Sequence, residues 1–136
     1  MQEVAQDYRP SADEPYMNPR QLEYFRRKLE AWRDELIQES EETLEHLRTE
    51  NWQEPDPNDR ATHESEATLE LRTRDRYRKL IGKIDAALRR IDRGEYGYCE
   101  ETGEPIGIAR LEARPIATLS VEAQEAHERD ERRRGD

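Results

Sequence analysis

The spacing of apolar residues over residues 19–50 is the feature that most constrains this chain. Apolar positions advance there in alternating steps of three and four residues, which is the heptad pattern of a coiled coil. They are Leu22, Phe25, Leu29, Trp32 and Leu36. Asn18 and Pro19 suit the N-cap and the first turn of a helix, and Gln21 occupies the reciprocal capping position. We therefore predict one helix over residues 19–50, about 48 Å long at 1.5 Å per residue.

A second long helix is predicted after a turn rich in proline and aspartate at residues 51–61. Asp59 suits its N-cap, and Gly94 favours an end near Asp92. The later half has an apolar stripe of Tyr77, Leu80, Ile81, Ile84, Leu88 and Ile91, and a thin early stripe continues through Ala61, Ala67, Leu69 and Leu71. Two helices of similar length joined by a short turn indicate an antiparallel hairpin.

The chain divides into four segments, and the predicted fold class is mainly α. The segments are an N-terminal arm (1–17), a coiled-coil hairpin (18–92) with its tip at 51–61, a small globular domain (93–119), and a C-terminal helix with a frayed tail (120–136). The arm has two prolines and no periodicity, so we expect it to be loosely ordered. Residues 94–99 and 102–106 predict two short strands around a tight turn, and Ser120 suits the cap of the last helix.

Composition narrows the class of protein. Of the 136 residues, 41% are charged and 32% are apolar, and the net charge of −10 argues against nonspecific binding of DNA or RNA. No apolar run is long enough to span a membrane, and the acidic, polar N-terminus does not have the pattern of a signal peptide. A single cysteine excludes an intramolecular disulfide and fits a reducing compartment. We expect a cytoplasmic monomer without direct DNA contacts.

Charge is unevenly distributed along the chain. Residues 72–93 hold nine basic and three acidic residues. The basic stripe comprises Arg72, Arg74, Arg76, Arg78, Lys79, Lys83, Arg89 and Arg90. Such a stripe is either a solvated helix face or a surface for an acidic protein or a phosphorylated ligand.

The sequence contains no recognisable catalytic set. It has no glycine-rich phosphate loop, and Cys99 has no base beside it in sequence. The three histidines, His46, His63 and His127, are expected to be solvent-exposed helix residues. Asp56 and Asp59 have an ordinary role as turn former and helix cap, but a rod of about 50 Å would also carry them into a deep cavity of a partner.

Several blocks of residues occur in one order along the chain. They are the tip Asp56-Pro57-Asn58-Asp59-Arg60-Ala61, residues 69–76, 78–81, 97–100, 106–108 and 110–115. Together they resemble the DksA/TraR family of bacterial RNA polymerase-binding transcription factors over residues 19–127. The resemblance implies a coiled-coil hairpin, a small zinc-finger-like globular domain and a C-terminal helix.

The resemblance also implies a function. The family inserts its hairpin into the secondary channel of RNA polymerase, destabilises open promoter complexes and acts with ppGpp in the stringent response, inhibiting ribosomal RNA promoters and activating amino-acid promoters. The tip residues at the polymerase active centre correspond to Asp56, Asp59, Arg60 and Ala61. Arg76 corresponds to a position that docks on the polymerase rim, and the positions that line the ppGpp site correspond to Leu80, Lys83 and Arg114.

Two departures from the family pattern are visible. The metal-binding cysteines of the family, spaced C-x2-C-x17-C-x2-C, correspond here to Cys99, Thr102, Ser120 and Ala123. Because structural zinc takes four ligands, mostly thiolates or imidazoles, we predict no zinc and a globular end held by apolar packing. The packing residues are Tyr96, Tyr98, Ile106, Ile108, Leu111, Ile116 and Leu119. Gln124 stands where the family commonly has a lysine that contacts ppGpp, so one charge-assisted contact is expected to be missing.

Two alternatives stay open at this point. A Gre-like transcript-cleavage factor also uses an acidic hairpin tip in the same channel, to hold a catalytic magnesium ion. The D-P-x-D-R-A tip and the globular end argue against it. A structural hairpin adaptor or chaperone unrelated to polymerase is the second alternative. The preferred interpretation is a regulatory binding protein with no catalysis of its own.

Overall fold

The computed structural model describes residues 4–53 and 60–135, without the side chains of residues 51–53 and 60–63. The described residues form four helices: α1 (Pro19–Gln53), α2 (Arg60–Arg93), α3 (Ile108–Ala113) and α4 (Val121–Arg134). They confirm the mainly α fold class. Contacts divide the chain into a globular unit, residues 1–29 and 86–136, and a hairpin unit, residues 30–85. No helix in the described part is long and apolar enough to cross a membrane.

The start of α1 is capped as the sequence predicts, with one difference. Asn18 Oδ1 accepts the backbone N–H groups of Arg20 at 2.9 Å and Gln21 at 3.0 Å. The side chain of Gln21, however, accepts the N–H of Met17 at 2.8 Å instead of the N–H of Asn18. The reason is that the Asn18 N–H bonds to the carbonyl of Pro15 at 3.3 Å.

Within the hairpin unit the two helices run antiparallel. Arg33 Nε lies 2.6 Å from Asp85 Oδ1, and Arg48 Nε lies 3.1 Å from Glu70 Oε1. Residue numbers therefore rise along α1 as they fall along α2. Among the side chains of this unit that the structure describes, the buried ones are Leu36, Tyr77 and Ile84. All three come from the predicted apolar stripes, so the heptad interpretation is confirmed for this part of the hairpin.

The predicted apolar stripe in the early half of α2 is wrong. Leu69 and Leu71 are 51% and 66% exposed and do not form a buried stripe. Residues two positions apart on a helix point about 200° away from each other, so these two leucines cannot share one packed face. Ala67 is also exposed, and the side chain of Ala61 lies outside the described residues.

The globular unit has an apolar core to which all four helices, the N-terminal arm and the loop before α3 contribute. Its buried members include Phe25, Leu29, Ile91, Tyr96, Ile106 and Leu111. The rings of Phe25 and Tyr96 have centroids 5.6 Å apart, and the Tyr96 hydroxyl donates to the carbonyl of Pro115 at 2.8 Å. The predicted packing is confirmed for three loop and helix residues, whereas Tyr98, Ile108, Ile116 and Leu119 are only half-buried.

The two predicted short strands are wrong. In the described residues between α2 and α3, one antiparallel bridge joins Tyr98 and Pro105. Proline has no N–H to extend a ladder. Gly97 and Gly103 have φ angles of +92° and +75°, which leave the extended region on both sides of the bridge.

The N-terminal arm is packed on the globular unit and differs from the loosely ordered segment that the sequence favours. Val4, Tyr8 and Met17 are buried. The Tyr8 ring meets Tyr24 edge-on at 5.9 Å, and the guanidinium carbon of Arg20 lies 3.8 Å from the Tyr8 ring centroid. These contacts join residues 12 and 16 positions apart in the sequence, so a search for helical or strand periodicity does not detect them.

Candidate functional site

The basic stripe on α2 separates into paired and unpaired cations. Arg74 pairs with Glu70 at 2.9 Å, and Arg78 and Lys79 both pair with Asp75, at 2.7 and 3.0 Å. The hydrogen bonds from Lys79 and Arg78 hold the pKa of the Asp75 carboxyl below its usual value. These three cations are therefore partly neutralised by the helix itself.

Four other cations of the stripe are exposed: Arg72, Arg76, Lys83 and Arg89. Arg72, Arg76 and Lys83 have no ion pair within the described part of the chain. Their spacings of four and seven residues place them on one face of α2. The guanidinium carbon of Arg76 lies 5.4 Å from the ring centroid of Tyr77, which orients its side chain. This face is suited to an acidic partner surface because its charges have no partner within the described residues.

Leu69 is a candidate surface residue that the sequence interpretation missed, because it was assigned to the apolar stripe. It lies three residues before Arg72, on the same side of α2 as the unpaired cations. An exposed leucine beside cations is typical of protein-binding surfaces, whose core is apolar and whose rim is polar. The signal in the sequence was a leucine pair, Leu69 and Leu71, that no single helix face can bury.

The predicted ppGpp positions lie in different units. Leu80 is half-buried and Lys83 is exposed in the hairpin unit. Arg114 is exposed at the end of α3, where its backbone N–H donates to the carbonyl of Arg110 at 2.7 Å. Gln124 is half-buried on α4, and its amide donates to Glu128 at 3.3 Å. Neither unit alone brings these positions together.

Most of the predicted hairpin tip lies outside the residues that the structure describes. Asp56 and Asp59 lie outside the described residues. Arg60 and Ala61 begin α2, but their side chains are outside the description as well. In the sequence this segment lies between the end of α1 at Gln53 and the start of α2 at Arg60, so α1 extends three residues beyond its predicted end at residue 50.

Of the four positions that correspond to the family's metal-binding cysteines, Thr102 and Ser120 contact Cys99, which is 3% exposed. The Thr102 hydroxyl hydrogen-bonds to its sulfur, as do the backbone N–H groups of Ser120, Thr102 and Glu101, and these bonds lower the pKa of Cys99 to about 6 although burial raises it. Ser120 Oγ accepts the N–H of Ala123 at 3.2 Å and caps α4, as predicted.

This donor set does not fit zinc. Structural zinc is held by four ligands that are mostly cysteine thiolates or histidine nitrogens. Here the second and third positions are hydroxyls already committed to Cys99 and to the α4 cap, and the fourth, Ala123, has only a methyl group. The described residues also contain no group of three or more His, Cys, Asp or Glu side chains placed to hold a metal ion.

Replacing Thr102 with valine is expected to raise the pKa of Cys99 from about 6 toward its usual value of 9.0, because the Thr102 hydroxyl makes the largest contribution to lowering it. The change is measured by the ultraviolet absorbance of the thiolate, which reports one group because Cys99 is the single cysteine. Thr118→Val is the matched control, since it removes a hydroxyl elsewhere in the same unit. An unchanged pKa in Thr102→Val would contradict the assignment.

Besides the bond from the Ser120 backbone to Cys99, His127 forms another contact between the α4 region and the turn that contains Cys99. Its ring nitrogen bonds to the carboxylate of Glu101, which raises the pKa of His127. A raised pKa in the folded state means that this ion pair stabilises the fold at low pH and loses its effect as pH rises through that pKa. His127 is exposed, as is His46, which pairs with Glu50 at 3.0 Å; the side chain of His63 lies outside the described residues.

Comparisons with known proteins decide the family. Residues 21–91 match the model of the DnaK suppressor protein DksA N-terminal domain, and residues 94–129 match the prokaryotic dksA/traR C4-type zinc finger. The chain belongs to the DksA family. The second match covers a segment with one cysteine, Cys99, so the chain retains the finger region of the DksA family without its four thiols.

Relatives in the DksA family are similar over most of their length. The RNA polymerase-binding transcription factor DksA of Caulobacter vibrioides is 68% identical over 126 residues, covering 93% of this chain and 89% of that protein. The protein of the same name from Escherichia coli (strain K12) is 50% identical over 117 residues, covering 86% of this chain and 78% of that protein. These matches confirm the resemblance drawn from the sequence.

A solved structure supports the same conclusion. Transcription factor DksA2 from Pseudomonas aeruginosa is 44% identical, with a TM-score of 0.78 that covers 90% of this chain and 93% of that one. The predicted fold class, a coiled-coil hairpin with a small globular domain and a C-terminal helix, is thereby confirmed.

Proposed function

We propose that this chain is a transcription regulator that binds RNA polymerase directly, through the secondary channel and its rim. The observation that carries the proposal is the 68% identity, over 93% of the chain, to a protein named as an RNA polymerase-binding transcription factor. The unpaired cations on one face of α2 support it, because they offer charge to an acidic docking surface.

The tip is proposed to act at the polymerase active centre. Asp56 and Asp59, with Arg60 and Ala61 beside them, would destabilise open promoter complexes once the hairpin is inserted. A small destabilisation changes occupancy most at promoters whose open complexes are already short-lived. Ribosomal RNA promoters would therefore be inhibited, and amino-acid promoters activated, as part of the stringent response.

ppGpp is proposed as the effector at the polymerase interface. An anion rich in phosphate is bound best by arginine and lysine, and Lys83 and Arg114 are both exposed. Leu80 would supply an apolar edge of the site. Gln124 provides no charge where a lysine would, so the coupling to ppGpp is expected to be weaker than with a full set of cations.

The proposed regulator has no catalytic activity of its own and needs no zinc. It acts as a monomer on polymerase and makes no direct contact with DNA, which its net charge of −10 would repel. Its effect comes from shifting the equilibrium between closed and open promoter complexes, which requires only differential binding to the two states.

Arg76→Ala is expected to weaken binding to RNA polymerase by about tenfold or more, because a hydrogen bond to a charged group contributes about 1.5–3 kcal/mol. Binding is measured by competition with a labelled wild-type chain on the polymerase holoenzyme. Arg89→Ala is the matched control: Arg89 is also exposed on α2, but helical geometry turns it to a different face. Equal weakening by both variants, or no effect of Arg76→Ala, would contradict docking through this face.

A further inference from the structure

Residues 94–129 of the globular unit match a C4-type zinc finger but contain one cysteine, and their donor set does not fit zinc, so protein contacts must hold this region together. A finger of the C4 type ties two knuckles together through four thiolates. Here the first knuckle, with Cys99 and Thr102, lies in the loop from Gly97 to Gly107. The part of the chain that closes this loop lies more than eighty residues away in sequence.

Tyr16 of the N-terminal arm bridges the two ends of that loop. Its hydroxyl donates to the carbonyl of Gly97 at 2.7 Å and accepts the N–H of Gly107 at 2.9 Å. The Tyr16 ring also meets the Tyr98 ring edge-on at 5.5 Å. One side chain therefore satisfies a donor at one end of the loop and an acceptor at the other.

The Met17 side chain packs closely against the same loop at Gly97. A Cβ atom at Gly97 would lie 2.8 Å from Met17 Cγ and 2.9 Å from Sδ, closer than real Cβ contacts. Gly97 also has a φ of +92°, so any other residue would be strained there. The close approach of arm and loop requires glycine at this position.

The arm is anchored to α1 behind these two residues. Met17 has a φ of +53°, an unusual conformation for a residue with a side chain. Its N–H bonds to the fully buried Gln21 side chain at 2.8 Å, and the Gln21 amide donates to the carbonyl of Ser11 at 3.2 Å. The helix thereby fixes the turn that presents Tyr16.

We propose that the N-terminal arm is a strap that replaces the metal ion as the constraint on this degenerate finger, with the Tyr16 hydroxyl as its clamp. The arm closes the first knuckle at Gly97 and Gly107. The second knuckle is then joined to the first by protein hydrogen bonds, among them the Glu100 N–H to the carbonyl of Thr118 at 2.9 Å.

The first test is amide hydrogen exchange of the full chain. Tyr16→Phe keeps the ring and removes both hydroxyl bonds, so exchange at Gly107 and at neighbouring loop amides is expected to quicken by about tenfold or more. Tyr8→Phe is the matched control, because the Tyr8 hydroxyl bonds to Glu14 within the arm. Unchanged exchange at Gly107 in Tyr16→Phe, or equal acceleration in Tyr8→Phe, would overturn the proposal.

The second test rebuilds a four-cysteine metal site in the globular unit. The triple variant Thr102→Cys, Ser120→Cys, Ala123→Cys is prepared with zinc, with and without Tyr16→Phe, and its zinc content is measured. The proposal predicts that the variant takes up zinc and that the Tyr16→Phe effect on loop exchange becomes several-fold smaller, because the metal again closes the knuckle. Failure to take up zinc, or an undiminished effect of Tyr16→Phe in the zinc-bound variant, would contradict the proposal that the arm constrains the same loop as a metal ion would.

Discussion

Asp59→Asn is expected to abolish inhibition of a ribosomal RNA promoter while leaving binding to polymerase unchanged. Asparagine and aspartate cap helices about equally well, so the substitution removes the negative charge and keeps the N-cap that the sequence predicts at this position. If the carboxylate acts by a charge-assisted contact near the active centre, its loss of about 1.5–3 kcal/mol would lower potency by about 10- to 150-fold. The measurement is transcription in vitro over a range of concentrations of the variant.

A matched control separates the tip from the overall acidity of the hairpin. Glu64→Gln removes one negative charge from an exposed position further along α2. It is expected to inhibit as the wild type does. A comparable loss of inhibition in Glu64→Gln, or a loss of polymerase binding in Asp59→Asn, would contradict a specific role for the tip carboxylate.

Lys83→Ala is expected to reduce the enhancement of inhibition by ppGpp, and Gln124→Lys to strengthen it. Each change removes or adds one charge-assisted contact to a phosphate, so each should shift the ppGpp concentration for half-maximal effect by about tenfold. The concentration dependence of transcription on ppGpp, at a fixed amount of the regulator, gives this value directly.

The control for the ppGpp prediction is a lysine on the same helix. Lys79 is exposed, but its Nζ lies 3.0 Å from Asp75 Oδ2, so Lys79→Ala removes a charge that the helix already partly neutralises. It should leave the ppGpp response nearly unchanged. A similar loss in Lys79→Ala would mean that the general charge of α2 is responsible, and no gain in Gln124→Lys would remove α4 from the proposed site.

The helices could be predicted from the sequence because their signals are local. Asn18 and Gly94 mark the start of α1 and the end of α2 through capping chemistry. The three-and-four spacing in α1 correctly identifies Phe25, Leu29 and Leu36 as buried, whereas Leu22 and Trp32 are half-buried. The misassigned leucines, Leu69 and Leu71, show the limit of that method. Apolar identity alone suggested a stripe, and the angular positions on the helix exclude one.

The globular unit was harder to predict because non-local contacts hold it together. Tyr16 meets Gly97 and Gly107 across more than eighty residues, and no periodicity in the arm indicates this pairing. The loop was expected to contain strands, but glycines with positive φ and Pro105 reduce the ladder to one bridge. The prediction that no zinc is bound rests, in contrast, on the identity of four residues, Cys99, Thr102, Ser120 and Ala123.

For the candidate site, too, some features could be predicted from the sequence and others could not. The exposure of Arg76 and Lys83 agrees with their predicted roles on the helix surface. That Arg72, Arg76 and Lys83 lack ion pairs in the described residues, whereas Arg74, Arg78 and Lys79 have them, depends on side-chain geometry. The sequence shows a single basic stripe and does not distinguish the two sets.

The most direct test of the account is transcription in vitro from a ribosomal RNA promoter, with the wild-type chain in buffer that contains a zinc chelator, with and without ppGpp. Inhibition is expected to persist in the chelator and to increase with ppGpp. Inhibition that requires added zinc would contradict the metal-free regulator. Intact polymerase binding with no inhibition, but with cleavage of the nascent RNA in backtracked complexes, would contradict it in favour of a transcript-cleavage factor.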